Sequence, residues 1–567
     1  MTTRIPFDIR EIPFSTRGAW MDVSPVIGLH RIVDDLHLVS HRTRMTAVLR
    51  LEARSAAGER LSPSADSSVL TWSGDGARVR ALFDGPDVLR FAGTGSELTL
   101  TDAASELTPF TGTFLYEDPM SGAFTFTSYE TGRRYRVTVL AGAVRATGSE
   151  ALGAGERSLT ISGDRWEIAV EEFATAAPPL ELGTGFDEAL READDRFEAY
   201  LEAIAGWRDD RAPAAALAAY VLWSATVAPA GFLGREAILM SKHWMDKLWS
   251  WDHCFNALAL AEGAPEEALG QFLLPFDHQT PEGALPDSIA HSEVLYNYVK
   301  PPIHGWAFAR MRSSLEPLAP ERLREVHDRL ASWSLFWLRH RTAPGRVAPY
   351  YQHGNDSGWD NSTSFDRDRV VEAPDLTAFL LLQLEVVAGL ADELGLPSSA
   401  WRESRCVLAE ELRGMWDGTA LAGRSPLHGR TATTTSLLNL LPLLAAEELT
   451  DEMIATMLES LAPHLTEWGP ATEAPSSPHY EPDGYWRGPI WAPSTFLLVD
   501  GLRRAGRDDL ADDVSARFRR LCERSGFAEN FDALTGEGLR DRAYTWTASV
   551  YLLLARESIA APAGSAE

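Results

Sequence analysis

From about residue 212 to 556, apolar residues recur with the helical period in twelve segments, and the gaps between them alternate between short and long. The segments are 212–226, 249–263, 265–274, 304–315, 319–341, 373–395, 398–415, 434–448, 450–463, 489–505, 507–523 and 543–556. Short links fall around 264, 316–318, 396–397, 449 and 506, and long ones run over 227–248, 275–303, 342–372, 416–433, 464–488 and 524–542. A short link leaves two helices as antiparallel neighbours, so strict alternation sends every long loop to the same end. Six helical hairpins that close on themselves make an (α/α)6 barrel. Long loops in a compact domain are where function gathers, so a site is expected on that one face.

The chain ahead of this region has another texture. Up to about residue 180, hydrophobicity alternates over short runs such as MTAVLRLEAR, SVLTWSG, RVRALF, LTLTD, FTFTSYE, RYRVTVLAGAV, SLTIS and RWEIAVEEF. Turn residues (SGDG, DGP, GTGS, ETG, SGD) separate them, the pattern of an antiparallel β-sandwich. ATAAPPLELGTG reads as a linker, and FDEALREADDRFEAYLEAIAG as a charged strap helix. The expected organisation is multidomain: a β-sandwich over 1–180, linker and strap over 181–211, and an all-α barrel over 212–567.

Charge narrows the partners. With 52 Lys+Arg against 81 Asp+Glu the net charge is −29, which repels nucleic acid and anionic membrane surfaces. Cys254, Cys406 and Cys522 are an odd, scattered set without CxxC spacing, so neither a disulfide framework nor a zinc site is expected. The opening MTTRIPFDIREIPF has no apolar core of signal length, and by this reading no stretch reaches the ~20 apolar residues of a membrane span. A cytoplasmic protein is the expectation, with a substrate small enough to be imported or made inside the cell. GxSxG, GxxxxGK[ST] and HEXXH motifs are absent from the sequence. The glycines of GTGSE and GAGE read as turns, since no βαβ pattern surrounds them. No metal or cofactor is expected.

The conspicuous motifs crowd into the long loops. They are SKHWMDKLWSWDHCFN (241–256), EGALPDSI (282–289), YNYVKPPIHGW (296–306), YYQHGNDSGWDNSTSFDRD (350–368), YEPDGYWRGPIWAP (480–493) and GFAENFDALTGEGLRDRAYTWTAS (526–549). Each mixes carboxylates with aromatics and with Gly or Pro. Aromatic faces stack on sugar rings and carboxylates hold hydroxyl pairs, so these loops describe a sugar pocket better than a phosphate cradle. The chain holds 18 Trp, which suits that use and suits a large helical core equally well. Asp360, between Trp359 and Asn361, has the aromatic neighbour that raises a carboxyl pKa towards that of a general acid. Glu529, in a different loop, has the chemistry of a base that activates water. The residues alone leave other readings open. Asp360 also suits a turn or cap, Glu529 a loop surface, Asp252 a helix N-terminal turn, and Arg487 a helix end or an acid.

Taken together, WSWDHCFNALAL, PPIHGWA, SGWDNS, GYWRGPIWAP and ENFDALTGEG followed by YTWTAS resemble glycoside hydrolase family 63. The likeness is to its bacterial α-glucosidases and mannosylglycerate or glucosylglycerate hydrolases, with family 37 trehalases a more distant similarity. The resemblance implies an (α/α)6 catalytic barrel and inversion at the anomeric carbon. It implies Asp360 as general acid and Glu529 as general base, with Glu537 as the rival for the base. Asp252 would hold hydroxyls of the cleaved sugar, Trp486 and Arg487 would line that subsite, and Trp251, Trp359 and Trp491 would be its walls. Asn361 and His304, in the same stretches, complete the substrate-binding set. One position departs from the pattern: Thr363 follows DNS where a proline is usual, which bears on loop shape and substrate fit. The expected activity is inverting hydrolysis of a short α-glucoside or related α-mannoside. An inverting phosphorylase, a rhamnosidase-like enzyme and a non-catalytic sugar-binding protein are the alternatives on the same architecture.

Overall fold

The structure, a computed structural model, describes residues 4–104, 112–149, 155–315, 317–429, 431–432 and 434–560. Gly153 and Ala154 of the GAGE turn lie outside them, as do Glu316, Arg430 and Thr433 of the expected links. The chain divides into two compact units. The first holds Met1–Gly206, Ala219–Lys247 and Ala290–Ser292, and the second Trp207–Ala218, Leu248–Ile289 and Glu293–Glu567.

The first unit is an antiparallel sheet of twelve strands: β1 (Pro6–Phe7), β2 (Met21–Gly28), β3 (Arg31–Ser40), β4 (Thr46–Ser55), β5 (Ser62–Asp66), β6 (Leu70–Gly74), β7 (Ala77–Phe83), β8 (Val88–Asp102), β9 (Thr113–Glu117), β10 (Phe124–Ser128), β11 (Arg133–Thr147) and β12 (Ser158–Phe173). Its main path runs β1-β5-β6-β7-β8-β12-β11-β10-β9, and β2, β3 and β4 join through β4 to β8. Along one edge β8 pairs first with β7 (Leu89–Thr94) and then with β4 (Ser96–Asp102). One strand therefore serves both leaves of the sandwich.

Glycine makes the bend possible. Gly95 (φ +60°), Gly142 (φ +99°) and Gly163 (φ +147°) lie at the same level on β8, β11 and β12. Trp166 fills the corner, and a Cβ on Gly142 would lie 2.5 Å from it. Inside the fold Val23, Leu38, Leu49, Leu70, Trp72, Phe91, Leu100, Phe126 and Ile168 share one core. The strap helix α1 (Phe186–Ala205) belongs to this unit and buries Phe186, Leu190, Phe197, Leu201 and Ile204 as a stripe.

The helical unit contains a helix for each of the twelve expected segments. They are α2 (Ala215–Ala225, of which only the first turn falls in this unit), α3 (His253–Leu260), α4 (Pro265–Leu273), α5 (His304–Met311), α6 (Pro320–His340), α7 (Pro374–Glu393), α8 (Ser399–Gly414), the 3-10 segment Leu437–Glu448, α9 (Asp451–Leu461), α10 (Ala492–Arg504), α11 (Asp508–Ser525) and α12 (Thr545–Ala560). The 3-10 segment departs from the expected α-helix because Pro442 lies inside it and Ala445 has non-helical angles (φ −108°, ψ 37°).

Packing closes an inner ring: α3 on α5, α5 on α7, α7 on Leu437–Glu448, that segment on α10, α10 on α12, and α12 on α3. Outside it, α4 covers α3, α6 and α8 cover α7, α9 covers the 3-10 segment, and α11 covers α10 and α12. Burial follows position. All of α3 is buried, whereas α11 buries one stripe, Ala511, Val514, Ser515, Phe518, Leu521 and Cys522. Inner α7 corrects one expectation, since this 20-residue helix is long and apolar enough to span a membrane by composition. Its most apolar window is 83% buried among other helices, the mark of a core helix.

Candidate active site

Short strands fix the long loops beside their carboxylates. Leu248–Trp249 pairs with Ser288–Ile289, which also pairs with Val294–Leu295. This small sheet carries Asp287 at one edge and leads into Asp252. Asn530–Phe531 pairs with Gly538–Leu539, and Phe531 bridges to Ile490, which sets Glu529 beside the 480–493 loop.

Asp252 immediately precedes α3 but makes no capping hydrogen bond. It is 3% exposed, its Oδ2 has no hydrogen-bond partner, and burial raises it to about 8, with Asp287 and Asp360 adding to the rise and Lys300 opposing it. Lys300 stands among these acids. Its Nζ lies 3.2 Å from Asp287 Oδ1 and 3.9 Å from Asp360 Oδ1, and donates to the Asn355 carbonyl at 2.7 Å. Burial pulls the ammonium down, but Asp360, Asp287 and Asp252 together hold it above its ordinary value. Asp360 is the most open of the group, with 30% of its side chain exposed. Burial still raises it, Asp287 adds to the rise, and Lys300 and His353 oppose it.

Glu529 has the opposite setting. It is 1% exposed and neither carboxylate oxygen makes a hydrogen bond of full geometry. Burial raises it to about 8, reinforced by Asp541 and opposed by Arg540 and the Tyr485 hydroxyl. Tyr485 (φ +63°) and Arg540 (φ +61°) both occupy the left-handed region, unusual for such side chains. The guanidinium of Arg540 lies 4.9 Å over the Tyr485 ring. Burial and then the charges of Glu529, Asp360 and Asp252 push the Tyr485 phenol well up, so carboxylates from three loops share one neighbourhood.

The remaining sequence candidates form the frame. Trp486 stacks on Trp491 (4.0 Å, 6° between planes), Trp359 lies 4.7 Å from Trp486, and Trp546 sits edge-on between Trp491 (5.5 Å) and Trp251 (5.8 Å). Trp251, Trp359, Trp486 and Trp491 are each at most 2% exposed. Asn361 donates from Nδ2 to the Gly484 carbonyl (3.0 Å) and accepts from the Trp486 N–H (3.0 Å). Arg487 donates to the Asn361 carbonyl at 2.7 Å and pairs with Asp366. Ser362 bonds Ser436 (2.9 Å), and Ser364 bonds Thr434 (3.2 Å). Thr363, the departing position, donates to buried Glu473 at 2.9 Å, and Thr435 donates to the same carboxylate. The loop that follows Asp360 is thus stitched residue by residue to its neighbours. His304 is fully buried, with Nε2 3.0 Å from the Ser250 carbonyl and the Phe276 ring 5.2 Å away. Burial lowers it to about 4, so it stays neutral and braces the strand before Asp252. Glu537 pairs back through the Asp532 amide to its own carbonyl in the turn that follows Glu529.

Sequence reading passed over Lys300, Asp287, Tyr485, Arg540 and His353. Lys300 carried a signal: the chain has only three lysines, Lys242, Lys247 and Lys300, and all three fall in motif loops. The strain at Tyr485 and Arg540 has no sequence signature.

Residues 245–547 match the family described as the mannosylglycerate hydrolase MGH1-like glycoside hydrolase domain, more than half of the chain. This chain belongs to that family. As a member it is a glycoside hydrolase, and the matched residues span every carboxylate described above. A mannosylglycerate hydrolase of Rubrobacter radiotolerans is 26% identical over 397 residues, 54% of this chain and 89% of that protein. One from Thermus thermophilus is 39% identical over 82 residues, 14% of this chain and 20% of that protein. Among solved structures, a family 63 mannosylglycerate hydrolase of Thermus thermophilus in complex with glucose aligns at TM-score 0.54 and 23% identity, over 60% of this chain and 99% of that one. A bacterial glucoamylase complexed with acarbose aligns at TM-score 0.64 and 10% identity, over 99% of this chain and 95% of that one. These two likenesses establish the fold: an antiparallel sheet domain followed by an (α/α)6 barrel.

Proposed function

We propose that this glycoside hydrolase cleaves a short α-linked glucoside or related α-mannoside with inversion, and that residues 212–567 carry the chemistry. Asp360 protonates the leaving oxygen while Glu529 takes a proton from a water on the opposite face of the sugar. Asp252 holds sugar hydroxyls, and Asn361, Arg487, His304 and the tryptophans keep the pocket in shape. The observation that carries this reading is the convergence of Asp252, Asp360 and Glu529, from three separate loops, on one neighbourhood beside Tyr485. Glu529 supports it as base because it is buried and neither carboxylate oxygen makes a hydrogen bond of full geometry, which leaves lone pairs for a water. Asp360 supports it as acid because, of these three carboxylates, it combines partial exposure with a raised pKa.

The relatives' names point to α-mannosylglycerate and α-glucosylglycerate as the first substrates to try, small glycosides in keeping with a cytoplasmic enzyme. The test is hydrolysis by the purified chain of a panel of those two with trehalose, kojibiose, nigerose, maltose and isomaltose. Turnover of one member without phosphate supports the reading. Turnover only when phosphate is supplied replaces it with a phosphorylase, and binding without turnover replaces it with a sugar-binding protein.

A further inference from the structure

Lys300 is a compact cation almost wholly buried (5% exposed) in a group of three carboxylates. Its shortest contacts are to the Asn355 carbonyl (2.7 Å) and Asp287 (3.2 Å), which leaves Asp360 at 3.9 Å. That spacing is chemically specific. A direct ammonium–carboxylate hydrogen bond would hold Asp360 ionised and unfit to donate a proton. At 3.9 Å the cation exerts its field without taking a lone pair. Asp287 pairs with the same Nζ at 3.2 Å, and its own negative charge favours the protonated form of Asp360.

We propose that Lys300 is the positioning counter-ion of the acid step, anchored by Asp287, receiving the negative charge that appears on Asp360 as the proton leaves. The inference rests on Asp360 being the acid. In that step the Asp360 proton goes to the glycosidic oxygen, the bond from that oxygen to the anomeric carbon breaks, and a water oxygen bonds the same carbon. The water proton goes to Glu529. Asp360 ends as a carboxylate, the state that Lys300 stabilises. The charged and titratable groups around Asp360 are Lys300 and Asp287 from the 275–303 loop, His353 from its own loop, and Asp252 and Tyr485 from two others. Among them Asp287 and Lys300 act with opposite sign, which makes the pair testable.

The experiment compares two substrates of the sugar that the wild type accepts: its alkyl α-glycoside, whose departure needs a proton, and its α-glycosyl fluoride, whose departure needs far less help. The limb of the pH profile of kcat/KM seen with the first and absent with the second belongs to the acid. Lys300→Met is expected to move that limb up, and Asp287→Asn to move it down, each by about one pH unit. Lys300→Met is also expected to cost the alkyl glycoside about tenfold more than the fluoride, and Lys300→Arg to recover part of that loss. Because Asp287→Asn keeps the cation, it reads the same argument where Lys300→Met lowers the folded yield. An equal loss on both substrates with an unmoved limb overturns the inference while Asp360→Asn remains selective for the alkyl glycoside. If Asp360→Asn is itself unselective, the acid assignment falls and this inference with it.

Discussion

Asp360 and Glu529 lie in the same helical unit and face opposite physical problems. Asp360 is 30% exposed, has a cation 3.9 Å away, and sits in a loop whose next residues are each hydrogen-bonded to another loop. Glu529 is dry, lacks a well-formed hydrogen bond to its carboxylate, and is located by backbone pairing alone, its N–H donating to the Asp541 carbonyl at 2.7 Å. Burial raises both carboxyls. At the first Asp287 adds to the rise while Lys300 and His353 oppose it, and at the second Asp541 adds to it while Arg540 and the Tyr485 hydroxyl oppose it. An acid that must part with a proton needs an environment that tolerates both of its states. A base that must seize a proton from water gains strength from being poorly solvated.

The strongest way to break this contrast is to remove each carboxyl. Asp360→Asn and Glu529→Gln are each expected to lower kcat by about 10²–10⁴-fold on an alkyl glycoside. Only Asp360→Asn is expected to recover with a glycosyl fluoride, because water must still be activated for either leaving group. Steady-state kinetics on both substrates check it, and recovery of Glu529→Gln instead would exchange the two roles.

The pH profile sharpens the contrast further. On the proposed mechanism hydrolysis needs Asp360 protonated and Glu529 ionised, so kcat/KM is expected to be bell-shaped whichever group ionises first. With Glu529 raised to about 8, one limb of the bell is expected near there. Asp252 is raised to the same region, so the limb belongs to coupled carboxylates rather than to one residue. A profile flat from about pH 7 to 9 would show that Glu529 is not held in the dry state described.

The smallest effect concerns the acid loop. Thr363→Val leaves Glu473 buried with one donor fewer, which is expected to cost about 1–3 kcal/mol of stability. Thermal unfolding reads that loss, and kcat/KM is expected to fall less than tenfold, with the limb near 8 unmoved. A shift of that limb would show that the Thr363–Glu473 contact reaches the carboxylates that titrate there.

What was legible in the sequence follows the same division between patterned and unpatterned surroundings. The helices were readable because outer helices expose one face and the inner ones run as long apolar stretches between loops. In the β unit, β2 and the second half of β3 passed unnoticed because both of their faces are buried, which erases the alternation, and Pro25 interrupts β2. SLTIS and RWEIAVEEF looked like two strands and are one, bent at Gly163. In the site, Asp360, Glu529 and Asp252 stood out through their aromatic and glycine-rich context. Asp287 and Lys300 did not, since their meaning comes from proximity across loops, and no spacing along the chain encodes it. The tryptophans were legible as a group, but that Trp486 stacks on Trp491 with Trp359 beside it is a property of packing alone.

The central claim is direct displacement by water, with Asp360 as acid and Glu529 as base. Proton NMR of the hydrolysis of the accepted α-glycoside, followed from the first seconds, tests it most directly. Inversion predicts that the β-anomer of the free sugar appears first and that the α-anomer grows in only by mutarotation. An α-anomer released first would mean a double displacement, and the roles given to Asp360 and Glu529 would be wrong.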